Sequence, residues 1–252
     1  MSEWKTQLEQ VEHSAVARTL EESKLIQPMR RVAYPRLTLL DDGKIDEGEI
    51  IRIRKEDFII GRSEGDLTFP LESLMSSRHC RLTLLQKADQ EYHWTIEDLG
   101  SRHGTYLRCA EVSLVPGMEF LAGGTRFRLI GPKRLRMATP TNKIEYYQGT
   151  FDSNPKVEQL EVCSYSISHS AQHLKLNQKK VEVGRLNNQV LSTDPFLEPV
   201  HFSMEKTSDA WKIVDRKSHN GIWVRIQSTR LSSYDQLTIG EQRLVFQLPT
   251  IY

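Results

Sequence analysis

Arg62 follows a glycine at the end of an apolar run, Phe58-Ile59-Ile60-Gly61. Further on, Ser76 opens a Ser-x-x-His set that closes at His79, with Ser77 and Arg78 in the variable positions. A third set, Asp98-Leu-Gly-Ser101-Arg102-His103-Gly104-Thr, stands behind the aromatic strand that holds Tyr92 and Trp94. A guanidinium carries planar, permanently charged donors that match phosphate oxygens, and hydroxyls add further donors. Together these residue types suit the gripping of an oxyanion. They do not make a reaction centre: the chain has no nucleophile elbow, no phosphate-cradling Gly-x-x-x-x-Gly-Lys, no His-Glu-x-x-His and no Gly-x-Gly-x-x-Gly. Cys80 follows His79 at a strand start and reads as a small core residue, not a nucleophile. His169 and His173 stand four apart, but in strand or loop texture and with no third ligand, so no metal and no cofactor is expected. Catalysis is not expected either.

The same ordered features recur. Gly184-Arg185 follows Val181-Glu-Val183, an offset of 123 residues from Gly61-Arg62, and His201 stands where His79 stands in the first copy. Asp215-Arg-Lys-Ser218-His219-Asn220-Gly221 then repeats the Asp98–Gly104 set. Both copies close on a turn and a last strand, Leu121-Ala-Gly-Gly to Phe127 and Ile239-Gly-Glu-Gln to Phe246. So many features in one order make two copies of one fold the reading.

The elements that must position these residues are short strands. Apolar and polar residues alternate at Ile50-Arg-Ile-Arg, Arg81-Leu-Thr-Leu, Thr125-Arg-Phe-Arg-Leu, Val181-Glu-Val and Trp211-Lys-Ile-Val, with turn residues between them. That texture predicts an all-β chain of two antiparallel β-sandwiches in tandem. The first spans 35–131 and the second 158–252, and a Pro- and Asn-containing linker spans 132–157. Trp4, Leu8, Val11 and Ala15 fall on one helical face, which predicts a short amphipathic helix within 1–30. Among 252 residues, 34 Lys+Arg balance 33 Asp+Glu, which argues against wholesale nucleic-acid binding. The short segment 132–157 carries five basic and two acidic residues and reads as a solvated linker. No apolar run is long enough to span a bilayer, no signal peptide opens the chain, and three scattered cysteines form no disulfide pattern. A soluble, cytoplasmic protein with no membrane partner is the expectation.

The set Gly-Arg, Ser-x-x-His and Asp-Leu-Gly-Ser-x-x-Gly-Thr on short strands resembles the forkhead-associated (FHA) domain. That family is a β-sandwich whose loops at one end grip phosphothreonine in a partner peptide. The resemblance covers about 100 residues in each half. It implies that Arg62 and Ser76 contact the phosphate, that Ser77 can add a donor, and that Ser101, Arg102 and His103 face the peptide. Gly61, His79 and Gly104 would be structural, with His79 propping the loop from behind. His103 departs from the family, where an Asn commonly holds the peptide main chain. An imidazole cannot copy the paired donor and acceptor of an amide.

The second copy departs differently. It keeps Arg185, Ser218, His219, Asn220 and Gly221, but Glu198 stands where the family has serine, and Pro199 removes a backbone donor. A carboxylate beside a phosphate opposes the attraction of Arg185, so this site is expected to be weak or lost, unless Glu198 instead holds Arg185 in a salt bridge. The resemblance thus implies a phosphothreonine-dependent adaptor in Ser/Thr kinase signalling, with a phosphothreonine protein and a Ser/Thr protein kinase as partners. Two alternatives stand beside it. One is a phosphate-independent scaffold; the other is self-docking after phosphorylation of Thr6, Thr19, Thr139 or Thr141.

Overall fold

Strand alternation sorts the chain into wet and dry faces. In Glu111–Leu114, Val112 and Leu114 are buried while Glu111 and Ser113 are exposed. In Tyr92–Asp98, Trp94, Ile96 and Asp98 point inward. The structure, a computed structural model, describes residues 34–40, 48–86, 92–131, 144–146, 158–163, 172–187, 191–208 and 210–249. Of these, all residues but Tyr34 belong to one compact unit, Pro35–Pro249. The helix expected within 1–30 lies outside the described residues, as do most of 132–157, Thr6, Thr19, Thr139, Thr141 and His169.

Among the described residues there are strands and no α-helix. In the first repeat they are β1 (Arg36–Leu39), β2 (Ile50–Arg52), β3 (Asp57–Gly61), β4 (Leu67–Thr68), β5 (Cys80–Gln86), β6 (Tyr92–Asp98), β7 (Thr105–Cys109), β8 (Glu111–Leu114), β9 (Glu119–Ala122) and β10 (Thr125–Ile130). A short β11 (Ile144–Tyr146) falls in the stretch between the repeats. The second repeat supplies β12 (Gln159–Cys163), β13 (Gln172–Lys175), β14 (Lys180–Val183), β15 (Phe202–Lys206) and β16 (Trp211–Asp215). It ends with β17 (Ile222–Arg230), β18 (Gln236–Ile239) and β19 (Gln242–Gln247). Pairing is antiparallel except between β3 and β4.

The strands do not stay within their own repeat. The last strand of the chain, β19, pairs with β1, setting Phe246 opposite Leu37. Reciprocally, β10 of the first repeat pairs with β12 of the second. β8 pairs with β16, and the end of β17 pairs with β6. The crossing lies where β7 and β17 run antiparallel, with Leu107 opposite Val224, the equivalent positions of the two copies. The arrangement is thus pseudo-twofold, and each repeat gives its closing strands to the other.

Two cores follow, each drawn from both repeats. One joins Leu37, Phe58, Ile60, Leu82, Trp94 and Ile96 of the first repeat to Ile226, Leu237, Leu244 and Phe246 of the second. The other joins Leu114, Phe120, Phe127 and Leu129 of the first repeat to Leu160, Val183, Phe202, Met204 and Ile213 of the second. Phe120 and Phe127 stack at 5.1 Å, and Phe202 meets both edge-on at 5.4 and 5.7 Å. Edge-to-face contact of this kind adds to area burial in holding the closing strands in place.

Candidate functional site

Gly61 ends β3, and the chain there must pass beneath the Ser76–Ser77 loop. A Cβ on Gly61 would lie 2.1 Å from the carbonyl oxygen of Ser77, so no other residue fits. The tight passage lets two loops bond directly: Arg62 N–H donates to the Ser76 carbonyl at 2.8 Å and Glu64 N–H to that of Ser77 at 3.0 Å. Arg62 and Ser76 are therefore neighbours at one end of the sandwich. The Arg62 side chain is exposed and makes no hydrogen bond or ion pair with another described residue. Ser76 is half-buried, and its Oγ accepts the Arg102 N–H at 3.1 Å, which ties the second loop to the third and leaves the hydroxyl proton available to donate.

His79 braces this junction. It is 0% exposed. Its Nδ1 accepts the Ser76 N–H at 3.1 Å, and its Nε2 lies 3.0 Å from the Gly104 carbonyl. Only a neutral ring with the proton on Nε2 satisfies both contacts. Burial accordingly pushes the His79 pKa below the usual histidine value, against the opposing pull of the Gly104 carbonyl and Asp98. The unfolded chain then takes up a proton at higher pH than the folded one. Stability is fully present above about pH 6.5 and is lost as pH falls from there through the lower folded value. We predict that a denaturant midpoint followed from pH 7.5 to 5 falls with acid, and that His79→Gln flattens this slope more than His103→Gln. Equal slopes in the parent and in His79→Gln would refute the assignment.

The Ser101–Gly104 loop is built from inside. The Asp98 carboxylate accepts the Ser101 N–H at 2.8 Å, the Ser101 hydroxyl at 2.6 Å and the Thr105 hydroxyl at 2.7 Å. The Ser101 oxygen in turn accepts the Gly104 N–H at 2.9 Å. Ser101 is 5% exposed, so its hydroxyl serves the loop's own frame and does not face outward with its neighbours. Arg102 is exposed and His103 half-buried. Burial, then Arg102, Arg126 and Arg225, hold the His103 pKa below its usual value, so the ring is neutral within a positive field.

Sequence reasoning passed over Ser63 and Glu64. The Ser63 hydroxyl touches that of Ser77, and Ser77 also donates to the Glu64 carboxylate at 3.3 Å. The only sequence signal for them was adjacency to Arg62. Cys80 is fully buried, and burial pushes its thiol well above the usual range, so it stays a protonated core residue.

The second copy repeats the frame. Gly184 passes beneath Pro199, whose carbonyl oxygen would lie 2.3 Å from a Cβ there. Glu198 N–H donates to His201 Nδ1 at 3.1 Å, and His201 Nε2 lies 3.0 Å from the Gly221 carbonyl. Ser218 bonds Asp215 at 2.6 Å and accepts the Gly221 N–H at 3.0 Å. Its outer face differs. Arg185 meets Glu198 through the backbone, N–H to carbonyl at 2.9 Å, and their side chains form no ion pair. Asn220 is engaged at both ends of its amide. Nδ2 donates to the Phe196 carbonyl at 2.9 Å, and Oδ1 accepts from Arg243 at 3.5 Å. His219 is exposed beside it.

These two frames, related by one pseudo-twofold axis, stand at equivalent loop ends of the two repeats. The FHA-domain family model matches residues 58–128 and 181–240, more than half of the chain, and the chain belongs to the FHA-domain family. Among solved structures, it is similar to a chain from a structural and functional analysis of phosphothreonine-dependent FHA domain interactions. The identity is 11%, over 87% of this chain and 100% of that one, with a TM-score of 0.33. It is also similar to full-length yeast Pml1p at 11% identity, over 90% of this chain and 89% of that one, with a TM-score of 0.34. No curated protein matches it. Membership of this family supports phosphothreonine-dependent protein–protein interaction at the family level. Among the described residues, no helix is long and apolar enough to cross a membrane.

Proposed function

We propose that the first site binds a phosphothreonine segment of a partner protein and that the chain acts as an adaptor downstream of a Ser/Thr protein kinase. One observation carries this reading: Arg62 stands exposed and unpaired among the described residues, its backbone bonded to Ser76 at 2.8 Å. A fixed cation and a hydroxyl with a free proton meet the needs of an ester bearing nearly two charges. In this reading Arg62 and Ser76 hold the phosphate, with Ser77 beside them. Arg102 and His103 lie along the peptide main chain, and Ser101 shapes their loop. The kinase supplies the charge that Arg62 reads, so binding is switched by phosphorylation.

The second site serves a different role. Glu198 and Pro199 replace donors with a like charge and a missing N–H, and Asn220 is already engaged by Phe196 and Arg243. It supports the first sandwich and binds phosphate weakly or not at all. The full chain, screened against matched phosphorylated and plain peptide libraries, should retain phosphothreonine peptides and release them after phosphatase treatment. Retention that is indifferent to phosphatase would instead establish the phosphate-independent scaffold.

A further inference from the structure

Strand exchange brings an arginine of the second repeat into the first repeat's site. Arg225 lies on β17 and is 6% exposed. One end of its fork, Nη2, donates to the Ser101 carbonyl at 3.1 Å. The other, Nη1, donates to the Glu119 carboxylate at 2.9 Å. Between them the side chain runs so close beneath Gly104, whose φ is +90°, that a Cβ there would lie 2.4 Å from Nε. Both ends of the Ser101–Gly104 loop are thus clamped from below by a residue that belongs to the other copy.

The pseudo-axis supplies a comparison. Arg108 sits at the equivalent position of the first repeat and reaches the second site, where a Cβ on Gly221 would lie 2.5 Å from its Nε. Its fork ends, however, on the neutral amide of Gln236 at 2.9 Å and on the His219 carbonyl at 3.4 Å. Where the first site has a buried carboxylate as anchor, the second has an amide. Both bonds start from a charged guanidinium, but only Arg225 ends on an opposite charge, and a buried ion pair holds its partners more strongly than a charged donor holds a neutral amide. Glu119 is held further by Arg126 at 3.9 Å and Arg128 at 3.5 Å, which fixes the anchor itself. The stiffer clamp therefore lies under the site that offers Arg62 and Ser76.

We propose that Arg225 is a positioning residue for phosphopeptide recognition at the first site. It touches no ligand, and it sets the loop carrying Arg102 and His103 against the peptide main chain. The second repeat then contributes to a site that it does not itself retain. This inference rests on the phosphothreonine reading of the first site.

The test uses the full chain with Arg225→Lys, which keeps the charge near Glu119 and loses the fork, and Arg225→Met, which loses both. Two ligands are compared: a degenerate phosphothreonine peptide library, and phosphothreonine as the free amino acid. Peptide affinity should fall about tenfold to a hundredfold, while affinity for the free amino acid stays within about threefold, because only the peptide spans the loop. Without any ligand, the Gly104 amide should exchange faster in both variants, while amides of β5 keep their protection. Arg108→Lys should leave the peptide affinity unchanged. A lysine variant with parental peptide affinity and parental Gly104 exchange overturns the proposal. A parent chain that ignores phosphorylation overturns the functional reading instead, and Gly104 exchange then still decides whether Arg225 sets the loop.

Discussion

Replacing Arg62 with alanine in the full chain should weaken binding of a matched phosphothreonine peptide by about 2–5 kcal/mol, roughly 30-fold to several thousandfold. The size follows from what is removed. The Gly61 passage sets Arg62 beside Ser76 through the backbone, and a phosphate bound there would lose this charge partner outright. Ser76→Ala removes a neutral donor and should cost less, about 1 kcal/mol. The protein itself should be unharmed, because the Arg62 side chain bonds no described residue and only its backbone N–H joins the loops. Titration of parent and variant with phosphorylated and plain forms of one peptide separates these terms. If Arg62→Ala binds the phosphorylated form as tightly as the parent does, the phosphate lies elsewhere. A fall that is equal for both forms would mean that Arg62 reads the peptide and not its phosphate.

Much of this arrangement was legible in the chain before any coordinates. The Gly-Arg, Ser-x-x-His and Asp–Gly sets mark loop ends because each needs a particular backbone: Gly61 a close passage, Gly104 a positive φ. The alternation at β5 and β10 marked buried faces because successive side chains of a strand point to opposite sides of the sheet. Strand exchange was not legible, and the cause is the repeat itself. β10 and β19 carry equivalent patterns, so β1 and β12 can each accept either one with the same faces buried. Sequence fixes which side of a strand is dry and says nothing about which copy lies next to it. β11 was hidden in the stretch read as a linker, since three residues are too few for a periodicity. Arg108 and Arg225 were overlooked as single charges in apolar strands. Their signal was positional: each stands four residues after the loop glycine of its own copy. Asn220 misled in the opposite way, since its identity fitted a ligand-holding amide while Phe196 and Arg243 had already claimed it.

The exchange has a consequence for stability that a pair of independent sandwiches would not show. Phe246 lies six residues from the chain's end, yet it is 0% exposed in the core that supports the first site, opposite Leu37 and 6.4 Å from the Trp94 ring. Phe246→Ala should therefore destabilise the protein by about 3–5 kcal/mol, the usual cost of emptying a buried phenylalanine site. Its location is the sharper test. The loss should appear first in the amides of β1, β5 and β6, which belong to the other repeat. The β15 and β16 amides around Phe202 should keep more of their protection, because their closing strands are β8 to β10. Phosphopeptide affinity at Arg62 should weaken with the first group. In two sandwiches that each closed on their own strands, the same substitution would loosen β15 and β16 and spare β1 and β5. Native-state hydrogen exchange of the variant distinguishes these patterns, and protection lost around Phe202 but kept around Trp94 would rule out the exchanged arrangement.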